Sequence, residues 1–263
     1  MNELLKAHLS RWLGNGRRYD GRMLDVFRPV SVELGVTKNA EGSSRVRIGD
    51  TEVMAGVKLA VESPYPDTPK DGNLMVNVEL LPLSSPDFEA GPPSEEAIEI
   101  ARVVDRGIRE AKTLDTKKLC IQEGEKVWAV MIDICTINSD GNLLDAAALA
   151  AVAALQDTRF PEYTGTSVNY KKLTDKRLPL VRAPISVTVF KLGDFLFVDP
   201  SVEEESIFDA RLTVALTRDG KICAMQKGGS ASLSIDEVGR MVDLAALKAS
   251  ELAGYLQGSN KLK

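Results

Sequence analysis

The run Asp140-Gly-Asn-Leu-Leu-Asp145-Ala-Ala-Ala148 closes a long apolar stretch and opens an alanine-rich one. A strand that feeds a helix through such a turn aims free backbone N–H groups outward, where a phosphate could sit. Yet no Arg, Lys, Ser or Thr stands at the turn to grip that anion. The stretch has the shape of a phosphate cradle and lacks its chemistry. Asp145, near the helix start, reads as a favourable first-turn charge.

Other polar groups compete for a role. Arg102, Arg106 and Arg109 fall at i, i+4 and i+7, on one face of a helix. On spacing alone this face is solvated and laced by the pairs Glu99–Arg102, Asp105–Arg109 and Arg106–Glu110. Arg102 and Arg106 repel each other, so an anionic partner between them, a phosphate or a neighbouring subunit's carboxylate, would relieve that strain. Glu203-Glu-Glu205 after Asp199-Pro200 could suggest a metal site, but three adjacent acids in a turn read as a solvated loop. Asp133, inside an apolar strand, reads as a structural carboxylate satisfied by backbone donors or an arginine. Tyr65 stands in a proline-rich loop, where it could stack a base if the loop faced a channel. No metal and no cofactor is expected.

Composition narrows the classes. His8 is the only histidine, which argues against a His-based triad and a zinc site. Three cysteines (Cys120, Cys135, Cys223) form no CxxC pair and no disulfide framework, the usage of a reducing, cytoplasmic interior. A net charge of -5 argues against a generic nucleic-acid coat while leaving room for a local basic strip. No GxxxxGK[ST] loop is present to serve a small phosphate-bearing ligand. No apolar stretch is long enough to span a membrane.

The elements that must position these groups follow from periodicity. Asn2 to Gly14 spaces its apolar residues as an amphipathic helix, not a signal peptide, and ends at Gly14-Asn-Gly16. Strands are expected at Pro29 to Leu34, Arg45 to Ile48 and Thr51 to Val61, the last two joined by a Gly49-Asp50 turn. A loop over Ser63 to Gly72 precedes a strand over Asn73 to Leu83. Ser94 caps a helix to about Lys112 whose buried stripe is Ile100, Val103, Val104, Gly107, Ile108 and Ala111. Lys126 to Asn138 reads as a central strand and Asn142 to Gln156 as a helix buried on several sides. The lysines and arginines of Tyr163 to Arg182 mark a composition shift and read as a linker. Strands at Ile185 to Lys191, Phe195 to Val198, Leu212 to Thr217 and Ile222 to Gln226 precede a helix from Ser234 to about Leu256. Strands then helix, twice over, predict two related α+β halves, residues 1–160 and 183–263, joined by a linker over 161–182.

Several motifs in this order resemble the ribonuclease PH family of phosphate-dependent 3′ exoribonucleases. They are Arg18-Tyr-Asp-Gly-Arg22, Glu41-Gly-Ser-Ser-Arg45, Gly49-Asp-Thr-Glu-Val53, Glu99-Ile-Ala-Arg102-Val-Val-Asp-Arg106-Gly-Ile-Arg109, Asp133, Asp140-Gly141 and Asp199. The resemblance implies two ribosomal-protein-S5-domain-2-like halves, with mixed sheets and helices on one side, and assembly into six-membered rings with a central channel. It also exposes two departures. Active members follow the Asp-Gly with a Gly-Gly-Thr-Arg-like stretch that grips the attacking phosphate, and this chain has Asn142, Leu143 and Leu144 there. Taking a charge-assisted hydrogen bond away from a buried anion costs roughly 1.5–3 kcal/mol. Active members also carry two acids around the strand that follows Asp199: Glu205 sits near the first, while Arg211 stands at the second on an ungapped match from Asp199, and a shift of two would put Asp209 there. A guanidinium cannot act as that acid.

With both halves of the chemistry missing, the chain resembles the catalytically silent class of ring subunit in the archaeal RNA-degrading exosome. That resemblance implies no catalytic residue of its own and a catalytic paralogue as its partner in an alternating hexameric ring. Single-stranded RNA and RNA-binding cap proteins are the other implied partners, with Arg102, Arg106 and Arg109 at the RNA path or the subunit joint. The rival expectation is a self-sufficient phosphorolytic enzyme gripping phosphate with Arg102 and Arg106 and using Glu205 or Asp209 as acid.

Overall fold

The structure, a computed structural model, describes residues 2–258. In the first half, helix α1 (Asn2–Gly14) precedes strands β1 (Val30–Leu34), β2 (Gly42–Ile48), β3 (Thr51–Glu62) and β4 (Asn73–Glu79). Helix α2 (Glu95–Glu110), strands β5 (Cys120–Gln122) and β6 (Lys126–Asn138) and helix α3 (Leu143–Asp157) follow. A hairpin of β7 (Arg159–Tyr163) and β8 (Val168–Arg177) leads to β9 (Ile185–Leu192), β10 (Phe195–Val198), the short helix α4 (Val202–Glu205), β11 (Ala210–Leu216), β12 (Ile222–Gly228) and α5 (Ile235–Gly258).

Two sheets share one helical layer. The first has the order β1-β2-β3-β6-β4, with β5 on β6, and is antiparallel except for the β4–β6 pair. The second, β10-β9-β11-β12, is antiparallel throughout. Helix α3 packs on β2 and β3 of the first sheet and on β9 of the second. Helix α2 bridges β4 to β12, and α5 covers β9 and β11. One continuous core therefore runs through both halves, from Val46 and Ile132 to Val187 and Val214.

Local chemistry explains the helices. Ser94 adopts an extended backbone and its Oγ accepts from the Ala97 N–H at 3.2 Å, capping α2. Ile100, Val103, Val104, Gly107 and Ile108 then fall on the buried face at the 3.6-residue period. Every residue from Leu143 to Leu155 of α3 is buried, because the helix has a sheet on each side. Helix α1, though first in the chain, packs on the second sheet: Leu9 and Leu13 join Phe190, Leu192, Phe197 and Ile207 in a separate apolar cluster.

Three expectations are corrected. The strand from Asn73 stops at Glu79, because the chain turns at Leu81–Ser84 and the Leu81 N–H is taken by Thr136 Oγ1 at 3.1 Å. The segment expected as a linker is largely the β7–β8 hairpin, anchored by Trp128 edge-on to Phe160 and Tyr163. Asp133 lies on the open face of the first sheet, exposed, with the Asn77 amide donating to it at 3.2 Å. Among the described residues no helix is long and apolar enough to cross a membrane.

A filled anion site and a candidate RNA-facing helix

Gly141 and Asn142 both take positive φ, 82° and 58°, to turn β6 into α3. A side chain at Gly141 would come within 2.5 Å of the Pro200 carbonyl, so only glycine fits that close approach. Leu143 and Leu144 point into the core, 5% and 4% exposed, rather than lining a cavity. The Asn142 N–H, which would greet an anion, donates instead to Glu205 Oε2 at 2.9 Å. Burial raises the pKa of Glu205, against the pull of that N–H and of Arg211. The chain thus places its own carboxylate at the start of α3.

The junction is clamped from behind by a network centred on Asp199, itself fully buried with φ 49°. Arg28 donates to its carboxylate from Nε (2.9 Å), Nη2 (2.8 Å) and the backbone N (2.8 Å). Arg22 Nη1 adds a bond at 2.7 Å and Asn142 Nδ2 one at 3.0 Å. Burial alone would raise the pKa of Asp199, but the hydrogen bonds and charge of Arg28, with Arg22 behind them, hold it below the ordinary carboxylate range. Arg28 also donates to the carbonyls of Asp140 (2.5 Å), Gly141 (3.3 Å) and Pro200 (3.4 Å), tying the two turns together.

Arg18, with no exposed surface, forms a two-pronged pair with Glu204 and donates to the carbonyls of Val198 and Asp199, each at 2.7 Å. The acidic run is therefore not a solvated loop. Ser201 and Glu204 make a reciprocal capping box for α4, and only Glu203 of the three glutamates is exposed.

Asp145 is likewise more than a first-turn charge. It is fully buried; Thr188 Oγ1 donates to its Oδ1 at 2.8 Å, and Oδ2 has no hydrogen-bond partner among the described residues. Burial drives its pKa up to about 7, against the hydrogen bonds from Thr188 and Asn142, with Asp199 adding to the rise.

Arg211 and Asp209 face different neighbours. Arg211 Nη2 pairs with Glu99 Oε2 at 2.6 Å, joining β11 to α2, and its charge acts on Glu96 and Glu205. Asp209 turns to α1 and the β9–β10 turn, bound by Lys6 Nζ and by the Gly193 N–H at 2.7 Å.

The arginines of α2 divide in the same way. Arg109 pairs with Asp105 at 2.7 Å and donates to the Leu74 carbonyl at 3.1 Å, so it is pinned to β4. Of the three expected pairs this is the one that forms, since Glu99 is drawn away by Arg211. Arg102 and Arg106 are exposed and have no ion pair or hydrogen bond among the described residues. With Val103, Thr213 and Met225 they line a cleft of about 300 Å³ between α2 and β11–β12. Tyr65, by contrast, lies exposed in the Ser63–Gly72 loop, near enough to Arg109 to act on its charge.

Two family models match the chain. The 3′ exoribonuclease family, domain 1, covers residues 26–161, and domain 2 of the same family covers residues 182–247. The chain belongs to the 3′ exoribonuclease family. Within that family it is 46% identical over 256 residues to the exosome complex component Rrp42 of Methanocella arvoryzae, covering 97% of this chain and 96% of that protein. The same component of Methanothermobacter thermautotrophicus is 46% identical over 261 residues, covering 98% and 96%. A solved chain of the Archaeoglobus fulgidus exosome with RNA bound to the active site superposes with a TM-score of 0.90 at 44% identity, covering 96% and 98%.

Sequence reading of this family member located the α3 junction and the α2 face but missed what holds them. Arg28, Asn142, Glu204 and Glu205 had no assigned partner, because each bond joins residues far apart in the chain. The available signal was the pair of basic residues flanking Tyr19-Asp-Gly21, since a buried acid such as Asp199 needs a cation to neutralise it.

Proposed function

We propose that this chain is a non-catalytic subunit of a phosphorolytic exosome ring. It shapes the active site of a catalytic homologue and helps to guide single-stranded RNA. One observation carries the reading: the position where a phosphorolytic site would seat phosphate is filled by Glu205 and backed by buried Leu143 and Leu144. An incoming oxyanion would meet a carboxylate at the N–H it needs. The rival reading of a self-sufficient enzyme is short of acids, since Asp209 is bound to Lys6 and Glu205 to Asn142. Arg211 takes the place of the missing acid on this reading, and its bond to Glu99 makes it a strut between β11 and α2.

The positional role falls to α2. Its buried stripe and the Arg109–Leu74 bond fix the helix, and Arg102 and Arg106 remain free for an anion. In an alternating six-membered ring that anion is an RNA phosphate or a carboxylate of the catalytic partner. Caps that bind RNA complete the assembly. The work lies in the cytoplasm, in keeping with three free cysteines.

The test has two arms. The chain alone, given single-stranded RNA and inorganic phosphate, should release no nucleoside diphosphate, while the ring formed with its catalytic homologue should shorten the RNA. In that ring, Arg102→Glu with Arg106→Glu should weaken RNA retention and lower the slope of log K against log salt by about 2. Shortening by the isolated chain would overturn the non-catalytic reading. Unchanged retention, salt dependence and assembly in the double variant would return the arginine face to solvent.

A further inference from the structure

The β7–β8 hairpin is the most basic element of an acidic chain. Residues 159–177 hold five basic and two acidic side chains, against a net charge of -5 for the whole. Both acids are used locally, Glu162 by Lys172 at 2.6 Å and Asp175 by Arg159 at 3.4 Å. Lys171 is exposed and pairs with no carboxylate among the described residues, Lys176 lies over the Phe160 ring at 5.0 Å, and Arg177 donates to the Gln156 carbonyl. The Tyr170 ring is 48% exposed, with Lys58 Nζ 4.9 Å from its centroid. Lys58 is itself paired with Glu41 at 2.6 Å, so the uncompensated charge of the element is that of Lys171, Lys176 and Arg177. An exposed ring on an element with such cations is the combination that stacks a base and neutralises nearby phosphates.

We propose that this hairpin is a second docking surface for the backbone of single-stranded RNA, distinct from α2. The inference rests on the reading of the chain as an RNA-handling subunit. The element is rigid enough to serve: Trp128 wedges against Phe160 and Tyr163, and Thr174 Oγ1 donates to the Phe160 carbonyl at 2.8 Å. It offers little apolar surface apart from Tyr170 and Leu173, which favours a polyanion over a protein partner that would need a packed apolar centre. Its place separates it from the other site. The hairpin leaves the C-terminal end of the 15-residue α3, and the Asn142 junction is at the N-terminal end, roughly 22 Å away along the helix axis. An extended strand needs at least about four nucleotides to engage both regions, so a trinucleotide cannot.

The ring assembled with the catalytic homologue is the material for the test, and labelled oligoadenylates of about 30 and about 3 nucleotides are the probes. Lys171→Glu with Lys176→Glu should weaken binding of the long RNA by about tenfold at low salt and lower its salt slope by about 2. Tyr170→Ala should weaken the long RNA by about fivefold or more. Binding and phosphorolysis of the short RNA should not change in either variant. The milder pair Lys171→Gln with Lys176→Gln guards against a folding defect and, since it removes the same two contacts, should lower the slope by a similar amount. Long-RNA affinity and salt slope equal to the unmodified ring's, in variants of native mass and melting behaviour, overturn the proposal. Loss of ring mass with RNA binding per ring unchanged overturns it too, by assigning the hairpin to a protein contact. If instead the unmodified ring retains neither RNA, the functional reading itself has failed.

Discussion

Arg28→Met should lower the stability of the isolated chain by about 3–5 kcal/mol at pH 7, read from the midpoint of a denaturant titration. The substitution keeps an unbranched apolar stem and removes the guanidinium with its charge and donors. Asp199, fully buried, would be left with Arg22 and the Asn142 amide as side-chain donors, and the carbonyls of Asp140 and Pro200 would lose the Arg28 donor while Gly141 kept that of Thr51. Breaking one side of a buried pair costs more than the pair contributed, because the surviving charge stays desolvated. The pH dependence gives a second check. Asp199 titrates below its ordinary value in the folded chain, so its contribution is present at neutral pH and lost as pH falls through that depressed pKa. The deficit of the variant should therefore shrink toward pH 3. Adding Asp199→Asn to Arg28→Met should recover part of the loss, since Asn tolerates the positive φ at this position. A deficit under about 1 kcal/mol at pH 7 would show that the clamp is incidental to the fold.

What the sequence made legible and what it hid divide by distance along the chain. Helix α2 could be read in full, because its Ser94 cap and the stripe from Ile100 to Ile108 are local patterns with a helical period. Strand β6 was legible as central because apolar residues crowd both of its faces, and α3 because alanines and leucines run all round it. The β7–β8 hairpin was not: β8 is exposed on nearly every residue, so no alternation marks it as a strand. The clamp was hidden for another reason. Arg18 meets Glu204 and Arg28 meets Asp199 across more than 170 residues, and no spacing rule links such pairs. The same competition misled the reading of the α2 face. Glu99 has a near partner in Arg102 by spacing, yet it turns to Arg211, which packing brings within 2.6 Å on the less exposed side of the helix. The site's shape was thus visible in the Asp-Gly-Asn turn, and its occupant, Glu205, was not.

The remaining large effect concerns Asp145. Asp145→Asn should stabilise the chain by up to about 4 kcal/mol at pH 8, by less than about 2 kcal/mol at pH 5, and hardly at all below pH 4. The carboxyl sits on the α3–β9 seam, where Thr188 and Thr213 supply hydroxyls and no cation among the described residues pairs with it. Its Oδ2 and the Asn142 Oδ1 are both buried acceptors without a donor among the described residues. One proton on Asp145 supplies a donor to this pocket of acceptors, and the shift of its pKa from 3.8 to about 7 states the same preference. The sign follows from linkage. Between pH 4 and 7 the unfolded chain releases this proton while the folded chain keeps it, so stability falls as pH rises and the full penalty is present above the folded pKa. Asparagine cannot ionise and carries its own N–H donors, so the variant should lack this slope. Matched titrations at pH 5, 6.5 and 8 decide the matter: parallel profiles for the two chains would mean that the carboxylate is satisfied in its charged form. The neighbouring Asn142 amide gives one N–H to Asp199 and opposes the rise at Asp145, but burial and the nearby Asp199 charge outweigh it. The neutral acid is the state in which the seam between the two sheets closes without an unpaired charge.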